Sequence, residues 1–120
     1  MRTRIFPWLI SLVFLALLAA CGGQTPAQPS LEVTLHAQDI KFNPTTIQAR
    51  VGQPVRLIYV NEGKIDHAFA LPGLVDEQKV RPGQTIEFTF TPKRAGQFKY
   101  VCAIPGHELA GMVGTLVVEP

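Results

Sequence analysis

Thiols and thioethers are scarce in this chain. It carries two cysteines, Cys21 and Cys102, and two methionines, Met1 and Met112, in 120 residues. Histidine is nearly as sparse, with three: His36, His67 and His107. No long helical period appears after residue 30. Ten glycines and ten prolines accompany that absence, and together they favour short strands and many turns over helices. An excess of charge is missing too. The formal net charge of +2 includes Arg2 and Arg4, and without them nine basic residues face nine acidic ones. That balance argues against a nucleic-acid surface or a polybasic membrane surface. The one long apolar run, Ile5 to Ala20, is too short for a comfortable transmembrane span.

What is there begins with a leader. The basic start Met1-Arg-Thr-Arg4 and the apolar run to Ala20 have the form of a secretory signal. The run ends Leu18-Ala-Ala-Cys21, which resembles the bacterial lipobox and predicts a signal peptide over 1–20 and lipid on Cys21. Acylation at two points anchors a protein stably where one does not. The expected location is therefore extracytoplasmic, on the outer face of the cytoplasmic membrane or in the periplasm. Residues 21–30, rich in Gly, Pro and small polar side chains, cannot bury enough apolar area to fold and read as a flexible tether. With Cys21 lipidated, Cys102 is the only thiol in the mature chain, and a free thiol outside the cytoplasm risks mispairing unless something occupies it.

Residues 31–120 read as one domain of short strands. Leu31 to Ala37 alternates, with Leu31, Val33 and Leu35 inward and His36 outward beside Glu32 and Thr34, so His36 is expected to face solvent. Asp39 to Pro44 reads as a link. Further strands are predicted over 45–51, 55–60, 68–71, 85–90, 97–102 and 113–118. A turn-rich loop, Asn61 to Asp66, delivers His67, whereas 76–80 is patterned too weakly to assign. About seven to eight short strands in roughly 90 residues predict an all-β, two-sheet sandwich.

The chemistry concentrates between the last two strands, in Cys102-Ala-Ile-Pro-Gly-His107-Glu-Leu-Ala-Gly-Met112. Taken singly, a Cys at a strand end is a small core hydrophobe, and a Met beside a loop is packing. Together they keep the spacing Cys-x4-His-x4-Met, and Cys102 shares the inward parity of Phe98 and Tyr100. With His67 upstream, the donors are two imidazoles, one thiolate and one thioether, the set that suits a mononuclear electron-transfer copper site. A zinc site of His67, Cys102, His107 and Glu108 would leave Met112 without a role.

Residues 31–120 resemble a cupredoxin, the small blue copper family of plastocyanin and azurin. The motifs that carry the resemblance are Ala95 to Cys102, Pro105-Gly-His107, Gly111 to Val118 and Asp66-His67-Ala-Phe69. It implies a Greek-key sandwich, single-electron transfer, and His67, Cys102, His107 and Met112 as ligands of one type 1 copper. Many members carry a polar residue after the first His and a hydroxyl residue after the Cys, and these brace the two ligand segments. Here both positions are alanine, Ala68 and Ala103. Bracing is then expected from backbone hydrogen bonds or apolar packing, with Ala68, Ala103 and Ile104 making drier surroundings. Asp66 stands where some relatives have a Gly whose carbonyl approaches copper, and four ligands without a close fifth are expected. The resemblance also implies an apolar docking patch around His107, formed by Pro105, Leu109 and Ala110, with Leu74 expected at the same end.

An electron carrier serving cytochromes or membrane electron-transport complexes is the function these features favour. Lipid anchoring would raise its effective concentration near such partners. No nucleic acid or small-molecule substrate is expected. A copper storage or delivery module is the alternative, although such proteins use many Met or His ligands, and Met112 is the one Met left after the leader. Copper enzymes of this fold need additional histidines, and here only His36 is spare.

Overall fold

The protein is described by a computed structural model covering residues 22–23 and 26–120; the predicted signal segment and Cys21 lie outside the described residues. Nine strands form among them: β1 (Leu31–Gln38), β2 (Lys41–Asn43), β3 (Thr46–Arg50), β4 (Val55–Asn61), β5 (His67–Leu71), β6 (Val75–Val80), β7 (Thr85–Phe90), β8 (Gly96–Cys102) and β9 (Val113–Glu119). They make two sheets, ordered β2-β1-β4-β7 and β3-β9-β8-β5-β6. The pairs β1/β4 and β3/β9 are parallel and the rest antiparallel. This is the predicted all-β sandwich, with one strand more than the seven to eight expected.

Two strands were not foreseen: β2 falls within Asp39 to Pro44, which was expected to be a link, and β6 covers the unassigned stretch 76–80. β2 is three residues long and buries one side chain, Phe42, so it has no period to read. β6 lies at the edge of the five-stranded sheet and pairs on one side only. Its polar stretch Asp76-Glu-Gln-Lys79 has no buried face to impose alternation. His67 also differs from expectation. It opens strand β5 instead of ending the loop before it.

The remaining strands follow their alternation. Val55, Leu57 and Tyr59 of β4 are fully buried, as are Leu35 and Ala37 of β1. They meet Ile47, Phe69, Tyr100, Leu116 and Val118 of the other sheet in one core. Each large apolar side chain buried there contributes roughly 1.5–3 kcal/mol. Phe42, Tyr59, Phe69 and Tyr100 form the aromatic centre, with ring centroids 5.4–6.4 Å apart.

The sandwich has two distinct ends. At one, Leu31 bonds Pro54, Val51 bonds Glu119, and Gly52 bonds Pro92. Gln28 and Ser30 also donate to Val51 and Pro54, and Gln53 donates to Pro29, so the last residues of the predicted tether are held against that end. β8 runs away from it toward Cys102, and β5 starts at the far end with His67.

Candidate metal centre

Cys102 is the last residue of β8, and alternation turns it inward behind Tyr100, where it is 1% exposed. Phe69 of β5 lies opposite it in the register. That pairing brings His67, two residues earlier in β5, beside the sulfur. His67 is fully buried, and its Nδ1 lies 3.8 Å from Cys102 Sγ. His107 reaches the same sulfur from the loop, its Nδ1 at 3.4 Å. One ligand atom from each of the three lies within 4.8 Å of the others. The two rings are tilted by 56° with centroids 5.2 Å apart.

The loop from 103 to 112 is wound by its own backbone. His107 N–H bonds Ile104 O, Ala110 N–H bonds Gly106 O, and Met112 N–H bonds His107 O, each at 3.0 Å. Gly106 and Gly111 take φ of 86° and 97°, values that favour glycine at these turns. Cys102 N–H bonds Met112 O at 3.0 Å and closes the loop onto the strand that begins it. Met112 is fully buried there.

The bracing expected at the two alanines is made by backbone. Ala68 N–H donates to Cys102 Sγ at 3.3 Å, and Ala103 N–H donates to Ala68 O at 2.8 Å. Ala68 is fully buried, and Ala103 and Ile104 are half-buried. The Asp66 carboxylate pairs with Lys79 at 3.0 Å on the flank of the sheet. Glu108, the fourth donor of the zinc alternative, is taken by Lys99 at 2.5 Å.

Around His107 the surface carries the exposed residues Pro105, Leu109 and Ala110, and Leu109 is 95% exposed. Leu74 does not join them, which corrects the expectation that it would. β5 and β6 are antiparallel, with His67 opposite Val80 and Leu71 opposite Val75, so the turn at 72–74 lies at the other end. Leu74 there lines a groove with Leu71, Pro92 and Phe98. The short strand β5 carries the chain across the sheet within five residues; a strand over 68–71 was expected, but not which end of the sandwich its last residue reaches.

Three residues that sequence reasoning passed over shape the site. Asp39, in the β1–β2 connection, places Oδ1 2.8 Å from His67 Nε2 and accepts the Lys64 N–H on Oδ2 at 2.8 Å. Those two donors, the Lys64 amide first, hold its carboxyl below the usual range. Gly63 lies so close that a Cβ there would stand 2.1 Å from Asp39 Oδ1. Asn61, 1% exposed, is fully engaged: Nδ2 donates to Ile65 O and Val80 O, and Oδ1 accepts from Gly63 N. That amide shapes the loop leading into His67.

The donor set fits a thiophilic ion that also accepts imidazole. Thiolate and thioether suit Cu(I), and imidazole suits both copper oxidation states. His67, Cys102 and His107 would hold such an ion from three sides, with Met112 as the fourth donor.

Comparison with known proteins agrees with this geometry. A family model described as "Cupredoxin-like domain" matches residues 10–118. The chain is 32% identical over 121 residues to the copper-resistant cuproprotein CopI of Rubrivivax gelatinosus, a match covering 82% of this chain and 71% of that protein. It is 27% identical over 129 residues to auracyanin-B of Chloroflexus aurantiacus, covering 81% of this chain and 54% of that one. A solved auracyanin B superposes with a TM-score of 0.69 at 24% identity, over 80% of this chain and 94% of that chain. The copper nitrite reductase of Nitrosomonas europaea superposes with a TM-score of 0.67 at 24% identity, over 76% of this chain and 42% of that chain. At these identities the structural likenesses carry the fold alone.

Proposed function

We propose that this chain, which belongs to the cupredoxin-like family, binds one copper ion through His67, Cys102, His107 and Met112 and carries single electrons between redox proteins. The observation that carries the reading is the meeting of three donor atoms within 4.8 Å, two of them on buried side chains. Copper supplies one-electron exchange between two oxidation states that this donor set tolerates.

The chain's own residues supply the rest. The Ala68 amide donates to the Cys102 sulfur and holds it in place. Burial of Cys102, His67 and Met112 keeps water from the donors. Strand pairing and the loop hydrogen bonds hold the donor positions, so little rearrangement need accompany a change of charge. His107 is half-buried beside the exposed Pro105, Leu109 and Ala110, which makes its ring the route by which an electron leaves. A small apolar patch suits brief encounters with cytochromes or membrane electron-transport complexes more than tight complexes. The leader and lipobox-like Cys21 support an extracytoplasmic protein anchored by lipid.

A second reading is copper handling, favoured by the CopI relatives, which are named for copper resistance. Against it stand a single Met donor and an enclosed site.

The test is to load the metal-free chain with Cu(II) and record its visible spectrum before and after ascorbate. A carrier gives an intense blue band that bleaches on reduction, and it retains copper against a Cu(I) chelator through repeated cycles. A colourless protein that prefers zinc would overturn the copper assignment. Ready loss of Cu(I) to the chelator would transfer the conclusion to copper handling.

A further inference from the structure

Asp39 is the one carboxylate in contact with a proposed metal ligand among the described residues, and both its oxygens are committed. A carboxylate only accepts hydrogen bonds. The 2.8 Å contact therefore makes His67 Nε2 the donor, and a neutral ring leaves its lone pair on Nδ1. Nδ1 is the nitrogen that faces Cys102 Sγ. The carboxylate cannot swing away, because Oδ2 holds the Lys64 amide and Gly63 closes the space beside Oδ1. Asp39 enters from the β1–β2 connection in one sheet, whereas His67 opens β5 in the other. The contact thus ties a ligand to the opposite layer of the sandwich.

We propose that Asp39 is a positioning residue for the metal centre: it fixes His67 with Nε2 protonated and Nδ1 turned to Cys102, and its negative charge favours the more highly charged state of the bound copper. The second half of this statement rests on the copper reading above, and the first does not. A carboxylate behind a histidine ligand sets the ring's tautomer and raises its basicity, and its loss commonly costs 10–100-fold in metal affinity. Removing a nearby negative charge destabilises Cu(II) relative to Cu(I) and raises the reduction potential. Gly63 is part of the device, since a methyl group at that position would displace Asp39 Oδ1.

The experiment uses the full-length chain and two readouts. In the metal-free protein, nitrogen NMR of the imidazoles reports the His67 tautomer. In the copper-loaded protein, voltammetry and competition with a chelator report potential and Cu(II) affinity. Wild type should show His67 protonated on Nε2. Asp39→Asn, nearly isosteric, should raise the potential by about a tenfold shift in the oxidation equilibrium, which is 59 mV for a one-electron couple. Asp39→Ala should lose the tautomer preference and weaken Cu(II) binding about tenfold or more. Gly63→Ala should do the same while the carboxylate is still present, which separates positioning from charge.

Folded variants with wild-type tautomer, potential and affinity would overturn the proposal, and Asp39→Asn alone decides it if the alanine variants fail to fold. If wild type shows the Nε2–H tautomer but takes up no copper, the positioning stands and the proposed function falls.

Discussion

The Cys102 sulfur accepts the Ala68 amide and faces two imidazoles, so a hydroxyl in its place would keep the packing but lose the soft anionic donor. Cys102→Ser should fold and should show no intense visible band with Cu(II); a surviving band would mean that another residue is the chromophoric ligand. Tyr59 poses the opposite case. Its ring packs 6.3 Å from Phe42 and 6.1 Å from Phe69, and its hydroxyl is buried without a hydrogen-bond partner among the described residues. Burial, and then the nearby Cys102, push the phenol's ionisation above its ordinary range. A buried unsatisfied hydroxyl costs roughly 1–3 kcal/mol, so Tyr59→Phe should stabilise the metal-free chain by about 1 kcal/mol in urea denaturation. A loss of stability would show that the hydroxyl is satisfied in solution. The ligands Cys102, His107 and Met112 are legible in sequence because their spacing and strand parity agree. Asp39 is not, since it sits in a connection without periodicity, 28 residues before the ring it holds. Gly63 reads as an ordinary turn glycine, and only the approach of Asp39 gives it a purpose.

Elements were readable where one face is buried. β4 and β7 alternate against the core, and their boundaries agree with the sequence to within a residue. β2 and β6 do not alternate, because one is too short and the other lies at an edge. The pairing of β8 with β9 carries its own constraint. Tyr100 lies opposite Gly114, and its ring covers the glycine so closely that a Cβ there would stand 2.1 Å from a ring carbon. The same ring donates from its hydroxyl to Pro44 O at 2.8 Å, so it cannot retreat without giving up that bond. Overpacking of this kind costs about 1–3 kcal/mol. Gly114→Ala should lower stability by that amount in thermal or urea unfolding. It should also disturb the site, because the ring it displaces stands two residues before Cys102. An unchanged midpoint would show that the ring has room to move.

At the scale of the whole molecule, the metal site joins β5, β8 and the last loop, elements brought together only by folding. A ligand that binds the folded chain and not the unfolded one stabilises it by mass action, by about 2.7 kcal/mol at a hundred times the dissociation constant. For a domain of this size that is a rise of roughly 10 °C or more in the unfolding midpoint. Calorimetry with copper and then with a chelator should show the rise and its reversal; an unchanged midpoint would mean that the donors do not bind tightly. Which end of the sandwich each turn occupies was less legible than the strands themselves. The turn at 72–74 was expected beside His107, and the length of β5 carries it to the far end. The same division of ends places Gln28 to Ser30 beside Pro54, whereas the ligand loop sits beyond the other end of the strands. β1 is eight residues long, and at about 3.3 Å per residue it spans roughly 26 Å. If Cys21 carries the proposed lipid, the tether joins the sandwich at the end opposite the ligand loop, so about one strand length of protein would separate the metal from the point of attachment. Such a separation would favour partners whose redox face projects into the aqueous layer over those that open flush with a bilayer.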